Sequence, residues 1–322
     1  MKREALTVAV LMGGASGERS VSLKSGAAIA AALRGLGMRV LEFDLPTPDV
    51  SEVARSEADI AFIAIHGGFG EDGRLQRALE EAGMPYTGSG PYASALAMDK
   101  LQAKVAFAAC DVPTPAYRAA RADAPPGVIL SLADALGFPV VIKPRSEGSS
   151  LGVTFHKSAN SLIDGLNAAL KFGRVALMER AIIGRELTVG ILGGTPLPIV
   201  EIRPRRGMFD YDAKYSDAST EYIVNPELPK AVADRVQETA LKAHRALECG
   251  YLSRVDVMLD AGGSPFVLEV NTVPGMTERS LLPKAAAAAG IPFAELCRFI
   301  VDAAAARANF VSMRRHRRSA AS

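Results

Sequence analysis

Cysteine is scarce in this chain. Cys110, Cys249 and Cys297 are odd in number, distant from one another and without a C-x-x-C pair, which excludes a disulfide framework, offers no zinc-ligand spacing and suits a reducing cytoplasm. Excess charge is scarce too: 37 Lys and Arg stand against 35 Asp and Glu, a formal net charge of +2, so nothing points to nucleic acid or another polyanion. Part of the small excess is the Arg-Arg-His-Arg-Arg run at 314–318, expected to be a solvated, frayed end. No apolar run reaches membrane-spanning length. The opening MKREALTVAVLMGG sets charge before apolar residues as a signal peptide does, but the run is short, lacks a small-residue cleavage pattern and passes into a Gly-rich turn. A first buried strand is expected there. Repeats and low-complexity segments are absent, and 322 residues suffice for two or three domains with a large core.

What is present begins with alternating strand and helix patterns over 1–99: LTVAVLM, a helix from about Val21 to Leu36, MRVLEFDL, ADIAFIAIHG, and a helix from about Gly73 to Glu81. That order predicts an α/β unit with a parallel sheet. Ligands gather beyond the carboxyl ends of such strands, where GGASGERS and HGGFGEDG fall. PYTGSGPYASALAMDK reads as a turn-rich boundary. Residues 100–185 follow as an α+β unit, with helices DKLQAKVAFAAC and LADALG and strands FPVVIKP, GVTF and VALMER. Residues 186–322 form a third, sheet-containing unit whose last helix, IPFAELCRFIVDAAAARA, has packing periodicity only.

In that third unit RVDVML and FVLEVN flank Gly262-Gly263, the pattern of a β-hairpin with a two-residue turn that needs positive φ at both central positions. If Ala261 faces Ser264, Asp256 lies opposite Glu269 and Arg254 opposite Asn271, and all four side chains share one face. Two carboxylates roughly 4.5–5.5 Å apart repel unless a cation intervenes, and one Arg cannot neutralise both. The all-oxygen set Asp256, Glu269 and Asn271 favours Mg2+ or Mn2+ over zinc. A solvated strand face with ion pairs is the bland alternative.

Three other stretches carry possible chemistry. KPRSEGSSLG, from Lys143 to Gly152, puts a lysine and a small-residue loop between two strands; it is an ordinary hairpin loop or, beside a metal hairpin, a phosphate cradle. It is not a Walker A loop. Gly68, Gly70 and Gly73 spell G-x-G-x-x-G, but Glu71 and Asp72 would face a pyrophosphate there, so a dinucleotide site is rejected. Glu18 is either a binder of a substrate ammonium or a first-turn helix acid, and His66 is structural or catalytic. The polar, aromatic stretch FDYDAKYSDASTEY is a lid or a plain surface loop.

Taken together these motifs resemble the ATP-grasp ligases, and within them the D-alanine:D-alanine ligase family. The resemblance runs through GGASGERSVSLKSG, AIHGGFGEDGRLQ, PYTGSGPYASALAMDK, VIKPRSEGSSLGV, GRELTVGIL, FDYDAKYSD, SRVDVM and LEVNTVPGMTERSLLPK, in family order. It implies a three-domain ATP-grasp architecture and ATP-dependent formation of D-alanyl-D-alanine, a peptidoglycan precursor, through D-alanyl phosphate. Lys100 and Lys143 would bind ATP phosphates, with Glu179, Ile182 and Glu186 around adenine and ribose. Asp256, Glu269 and Asn271 would hold two Mg2+ (or Mn2+) ions. Glu18 would bind the ammonium of the first D-alanine, networked with Ser149 and Tyr215, and His66 would line that pocket. Lys214 would reach the γ-phosphate, Arg254 and the Gly275 N–H would steady the oxyanion, and Ser280 would bind the second D-alanine. Departures fall at Arg77, Ala181 and Glu278-Arg279. A cytoplasmic homodimer is implied, with no nucleic acid or membrane partner. A D-alanyl-D-lactate or D-alanyl-D-serine ligase, or a non-catalytic nucleotide binder, remain the alternatives.

Overall fold

The computed structural model describes residues 6–203 and 220–319, with side chains as far as 308. Three strands near the N-terminus, β1 (Thr7–Gly13), β2 (Arg39–Leu45) and β3 (Ile60–Ile63), form a parallel sheet in the order β2-β1-β3. Strand β1 is buried along its whole length and reads as a continuous apolar run because both its faces are covered. Val8, Val10 and Met12 pack toward α1 (Arg19–Gly35), while Ala9 and Leu11 face the opposite core. That second core takes Val53 from α2 (Ser51–Arg55) and Leu75 and Leu79 from α3 (Arg74–Glu81). The last two G-x-G-x-x-G glycines serve close packing here. A Cβ at Gly70 would lie 2.3 Å from Ile65 O, and one at Gly73 2.3 Å from Pro91 O.

The stretch expected to be a turn-rich boundary holds α4 (Pro91–Met98), started by Pro at its first residue, and runs into α5 (Lys100–Ala109). A four-stranded antiparallel sheet follows, built from β4 (Tyr117–Arg121), β5 (Val140–Pro144), β6 (Thr154–His156) and β7 (Val175–Arg180) in the order β4-β7-β5-β6. Helices α6 (Pro126–Leu136) and α7 (Leu162–Leu170) cover one face over Val140, Ile142, Ala176 and Met178. Strand β4 escaped the sequence reading because it is an edge strand, and only Ala120 of its five residues is buried.

The third sheet runs β11 (Glu221–Val224), β10 (Val200–Arg203), β8 (Gly184–Leu192), β12 (Leu252–Asp260), β13 (Pro265–Asn271), with β9 (Thr195–Pro196) paired to β8. Helix α8 (Lys230–Ala246) covers one face, over Leu187, Val189, Val255, Val257 and Val267. Ala103 and Phe107 of α5 belong to the same core. Helices α9 (Leu281–Ala288) and α10 (Phe293–Ser319) close the chain. The 314–318 run, expected to fray, forms the last turns of α10, since no Gly or Pro interrupts the chain from 293 to 319. Among the described residues no helix is long and apolar enough to cross a membrane.

The β12–β13 hairpin meets the expected register at the site and departs from it at the turn. Arg254 pairs with Asn271 and Asp256 with Glu269, but Val257 then pairs with Val267 across a register shift. The turn is one residue longer than assumed: Asp260 N donates to Ser264 O at 3.0 Å, and only Gly263 has positive φ, at +76°. A bulge at Leu268 absorbs the difference. It lets Val267 and Val270 both reach the core beneath α8 while Glu269 and Asn271 stay on the other face.

Candidate active site between two sheets

Side-chain alternation puts the chemistry on the uncovered faces of the second and third sheets. On β5, Val140 and Ile142 enter the core, so Val141 and Lys143 face outward; on β12, Val255 and Val257 enter the core, so Arg254, Asp256 and Met258 do. Between these faces lies a cleft of about 440 Å3. The loops of the first sheet reach its rim through Glu18, His66 and Glu71.

On the hairpin wall the two facing carboxylates are not bare. Arg254 grips Asp256 with two hydrogen bonds of 3.0 and 2.8 Å, and Thr188 Oγ1 donates to Asp256 at 2.7 Å. Glu269 takes Lys100 Nζ at 3.0 Å. The cation that one Arg could not supply therefore comes from α5. Desolvation in the cleft favours neutral Glu269, but Lys100 and Lys143 outweigh it and hold the carboxyl at about 2. Desolvation also opposes the Arg254 charge, and Asp256, Glu269 and Glu71 overcome it and leave the pKa raised. Asn271 Oδ1 accepts from Val273 N at 2.9 Å, which fixes the amide beside the two acids.

The opposite wall is built on Glu179 of β7, buried with 2% exposure. Lys143 Nζ lies 2.6 Å from one of its oxygens and Lys104 Nζ 2.6 Å from the other. Burial pulls the Glu179 pKa up, yet the two lysines win and leave it below the ordinary value. The loop after β5 is pinned to the start of α5. Arg145 clasps Asp99, which also caps α5 through Leu101 N and Gln102 N, and Lys100 Nζ donates to Glu147 O at 2.7 Å. Ser149 and Ser150 then take φ of +50° and +53°, a costly conformation for residues with a Cβ.

Ser149 spends that conformation on Glu18, to which its hydroxyl donates. Burial raises the Glu18 pKa, with Glu71 adding to it and Ser149, His66 and Arg254 opposing; an incoming ammonium would restore the charged form. His66 is 3% exposed, and both ring nitrogens are engaged, Nε2 with Ser25 Oγ and Nδ1 with Val273 O, each at 3.0 Å. Ser25 Oγ in turn accepts from Met276 N at 3.3 Å. His66 thus holds the 272–280 segment, in which Gly275 lines the cleft. Ser280 sits beside Gly275 as the residue before α9, and its Oγ accepts from Thr277 N at 3.1 Å in the preceding turn rather than capping the helix.

The D-ala D-ala ligase C-terminus model matches residues 107–302, and the N-terminus model of the same family matches 42–89. The chain belongs to the D-ala D-ala ligase family. A D-alanine--D-alanine ligase of Bordetella petrii is 44% identical over 93% of this chain and 92% of that protein. One of Citrifermentans bemidjiense is 46% identical over 92% of this chain and 95% of that protein. A crystal structure of a D-alanine--D-alanine ligase from Bacillus anthracis complexed with ATP superposes with a TM-score of 0.85 at 35% identity, covering 95% of this chain and 99% of that one.

In this ligase-family chain the cleft gathers Glu18, His66, Lys100, Lys143, Ser149, Glu179, Ile182, Glu186, Arg254, Asp256, Glu269, Asn271 and Gly275. Ser280 lies next to that set, and Lys214 and Tyr215, with the stretch expected to be a lid up to 219, fall outside the described residues. The end of that stretch, Glu221 and Tyr222, is strand β11. Sequence reasoning missed Glu71, Ser25, Lys104 and Thr188. Lys104 had a legible signal, because Lys100 and Lys104 are one helical turn apart on the same face of α5.

Proposed function

We propose that the protein joins two D-alanines into D-alanyl-D-alanine using ATP, for peptidoglycan precursor synthesis. The observation that carries this reading is that one cleft brings together the acid Glu18 from the loop before α1, Lys100 from α5, and Lys143, Arg254 and the facing carboxylates Asp256 and Glu269 from strands of two sheets. Asp256, Glu269 and Asn271 offer only oxygens, and among the described residues no three of His, Cys, Asp and Glu cluster as a self-sufficient cage. That set suits a hard cation whose other ligands come from polyphosphate. Two divalent ions, Mg2+ or Mn2+, would be held there and would offset charge spreading over the phosphates.

Glu18 accepts the ammonium of the first D-alanine, and Ser149 fixes the carboxylate that does so. The substrate carboxylate attacks the γ-phosphorus, the bond to the ADP oxygen breaks, and D-alanyl phosphate forms. Lys100 and Lys143 leave their carboxylate partners for the phosphate oxygens, joined by Lys214. The free amine of the second D-alanine, held by Ser280, attacks the acyl carbon. Arg254 and the Gly275 N–H receive the negative oxygen of the tetrahedral intermediate, a role worth about 10^2–10^3 in rate. Inorganic phosphate then leaves. Tyr215, outside the described residues, would by the family resemblance join the Glu18–Ser149 network and favour an amine over a hydroxyl as second nucleophile.

Incubation with ATP, Mg2+ and D-alanine is expected to release phosphate and yield the dipeptide by mass spectrometry; ADP without dipeptide would overturn the reading. Adding D-lactate or D-serine in competition tests the related products. Three units, 1–99, 100–185 and 186–322, each centre on one sheet, although β8 of the third sheet already starts at Gly184, and α5 ties the second unit to the third. A cytoplasmic homodimer completes the proposal, and light scattering tests its mass.

A further inference from the structure

Lys104 is completely buried, with 0% exposure, behind the cleft wall. An ammonium ion there is costly unless its protons are partnered. They are. Nζ lies 2.6 Å from Glu179 Oε1 and 2.5 Å from Thr114 Oγ1, and 5.4 Å from the centre of the Tyr117 ring. Thr114 donates onward to Val267 O at 2.8 Å, which anchors the arrangement to β13. The second oxygen of Glu179 is held by Lys143, which lines the cleft as Lys104 does not. The two lysines are therefore unequal. Polyphosphate entering the cleft competes for Lys143, whereas Lys104 has no path to it and stays on Glu179.

We propose that Lys104 is a positioning residue that keeps Glu179 an acceptor-only carboxylate, so that the site selects a purine with a 6-amino group over one with a 6-oxo group. This rests on the reading of Glu179 as a contact of the nucleotide base. An exocyclic amine donates to an ionised carboxylate; a 6-oxo oxygen in the same place sets acceptor against acceptor. Once Lys143 turns to phosphate, Glu179 would have, among the described residues, no close countercharge but Lys104. Without Lys104 the buried carboxyl would take up a proton and could donate to a 6-oxo group. The balance of forces agrees: burial raises the Glu179 pKa and the lysines reverse it. Burial likewise brings Lys104 down to about 8 against the pull of Glu179.

The test is the ratio of kcat/KM for ATP to that for ITP, read by phosphate release with D-alanine on the full chain. Lys104→Met should lower this ratio on the order of 10- to 100-fold, the scale of a lost charged hydrogen bond, with KM for D-alanine unchanged. Glu179→Gln should lower it as well. The double variant removes both partners, which guards the fold if the single variant unfolds, and should match Glu179→Gln. A Lys104→Met enzyme that loses both nucleotides equally, or a double variant that discriminates clearly less than Glu179→Gln, overturns the role of Lys104. If Glu179→Gln itself leaves the ratio untouched, the base-contact reading falls and the proposal falls with it.

Discussion

On the β7 wall of the cleft, the Glu179 side chain is 3% exposed and shared by two lysines, whereas on the hairpin wall Asp256 and Glu269 have one close cation each and side chains 13% and 34% exposed. A buried carboxylate between fixed cations is expensive to disturb, because removing one partner strands the other charge. Glu269, a third exposed, can exchange its partner at less cost, since solvent, metal or phosphate can replace what leaves. The first arrangement suits a group that must keep its geometry through the reaction. The second suits groups that must let a substrate in. Helix α5 serves both, Lys104 on the closed wall and Lys100 on the open one.

The largest test of this contrast is stability. Lys104→Met should cost about 3–5 kcal/mol, the usual penalty for breaking a buried pair, and Lys143→Met clearly less, because Lys143 lines the cleft, where water can reach the Glu179 oxygen it leaves, whereas Lys104 is sealed behind the wall; equal losses in urea melts would erase the distinction. On the open wall the effect should fall on turnover. Glu269→Gln is expected to lower kcat about 10^2–10^3-fold while its melting midpoint stays near that of the parent, and near-normal activity would sink the metal assignment.

A smaller effect follows from pH. The folded pKa of Glu179 is depressed below the ordinary 4.5, so its pairing contributes fully above that value and is lost as pH falls through the folded one. Urea melts of the parent should show the Glu179 contribution level from pH 7 to pH 5 and falling in stronger acid, with proton uptake on unfolding there. A parent that gained stability in acid would reverse the sign. Smallest of all, Lys230→Ala removes a pair with Asp234 whose side chains are 88% and 57% exposed, and denaturation should not register it.

Much of this contrast was legible in the residues themselves. Alternation along RVDVML and FVLEVN put Arg254, Asp256, Glu269 and Asn271 on one face, and the structure keeps those pairings. The register near the turn was not legible, because a three-residue loop with one αL glycine and a two-residue loop share the same Gly-Gly signature. The bulge that cancels the error depends on which valines the core beneath α8 can hold, a tertiary matter. The closed wall was hidden for a similar reason. Lys104 and Glu179 are far apart in sequence, and only the docking of α5 beside β7 joins them. Nor does a Ser-Ser pair announce two left-handed residues; that conformation is imposed by the contacts of the loop it lies in.

One core runs through two of the three sheets. Val8 and Val10 of β1 pack in the same cluster as Leu192 of β8, Leu252 of β12, Leu282 of α9 and Ile300 of α10, while the second sheet has its own cluster around Ile129, Val140, Leu162 and Met178. The first and third sheets cannot shear past each other without unpacking that shared interior. The second sheet has no share in that interior and is held to the two-sheet frame by polar ties, Lys104 to Glu179, Arg145 to Asp99 and Ser149 to Glu18, so it can open as a unit only by breaking them. Hydrogen exchange should therefore find Ile142 and Met178 amides opening as one set, separately from those of Val10 and Val255, and a single shared opening would refute it.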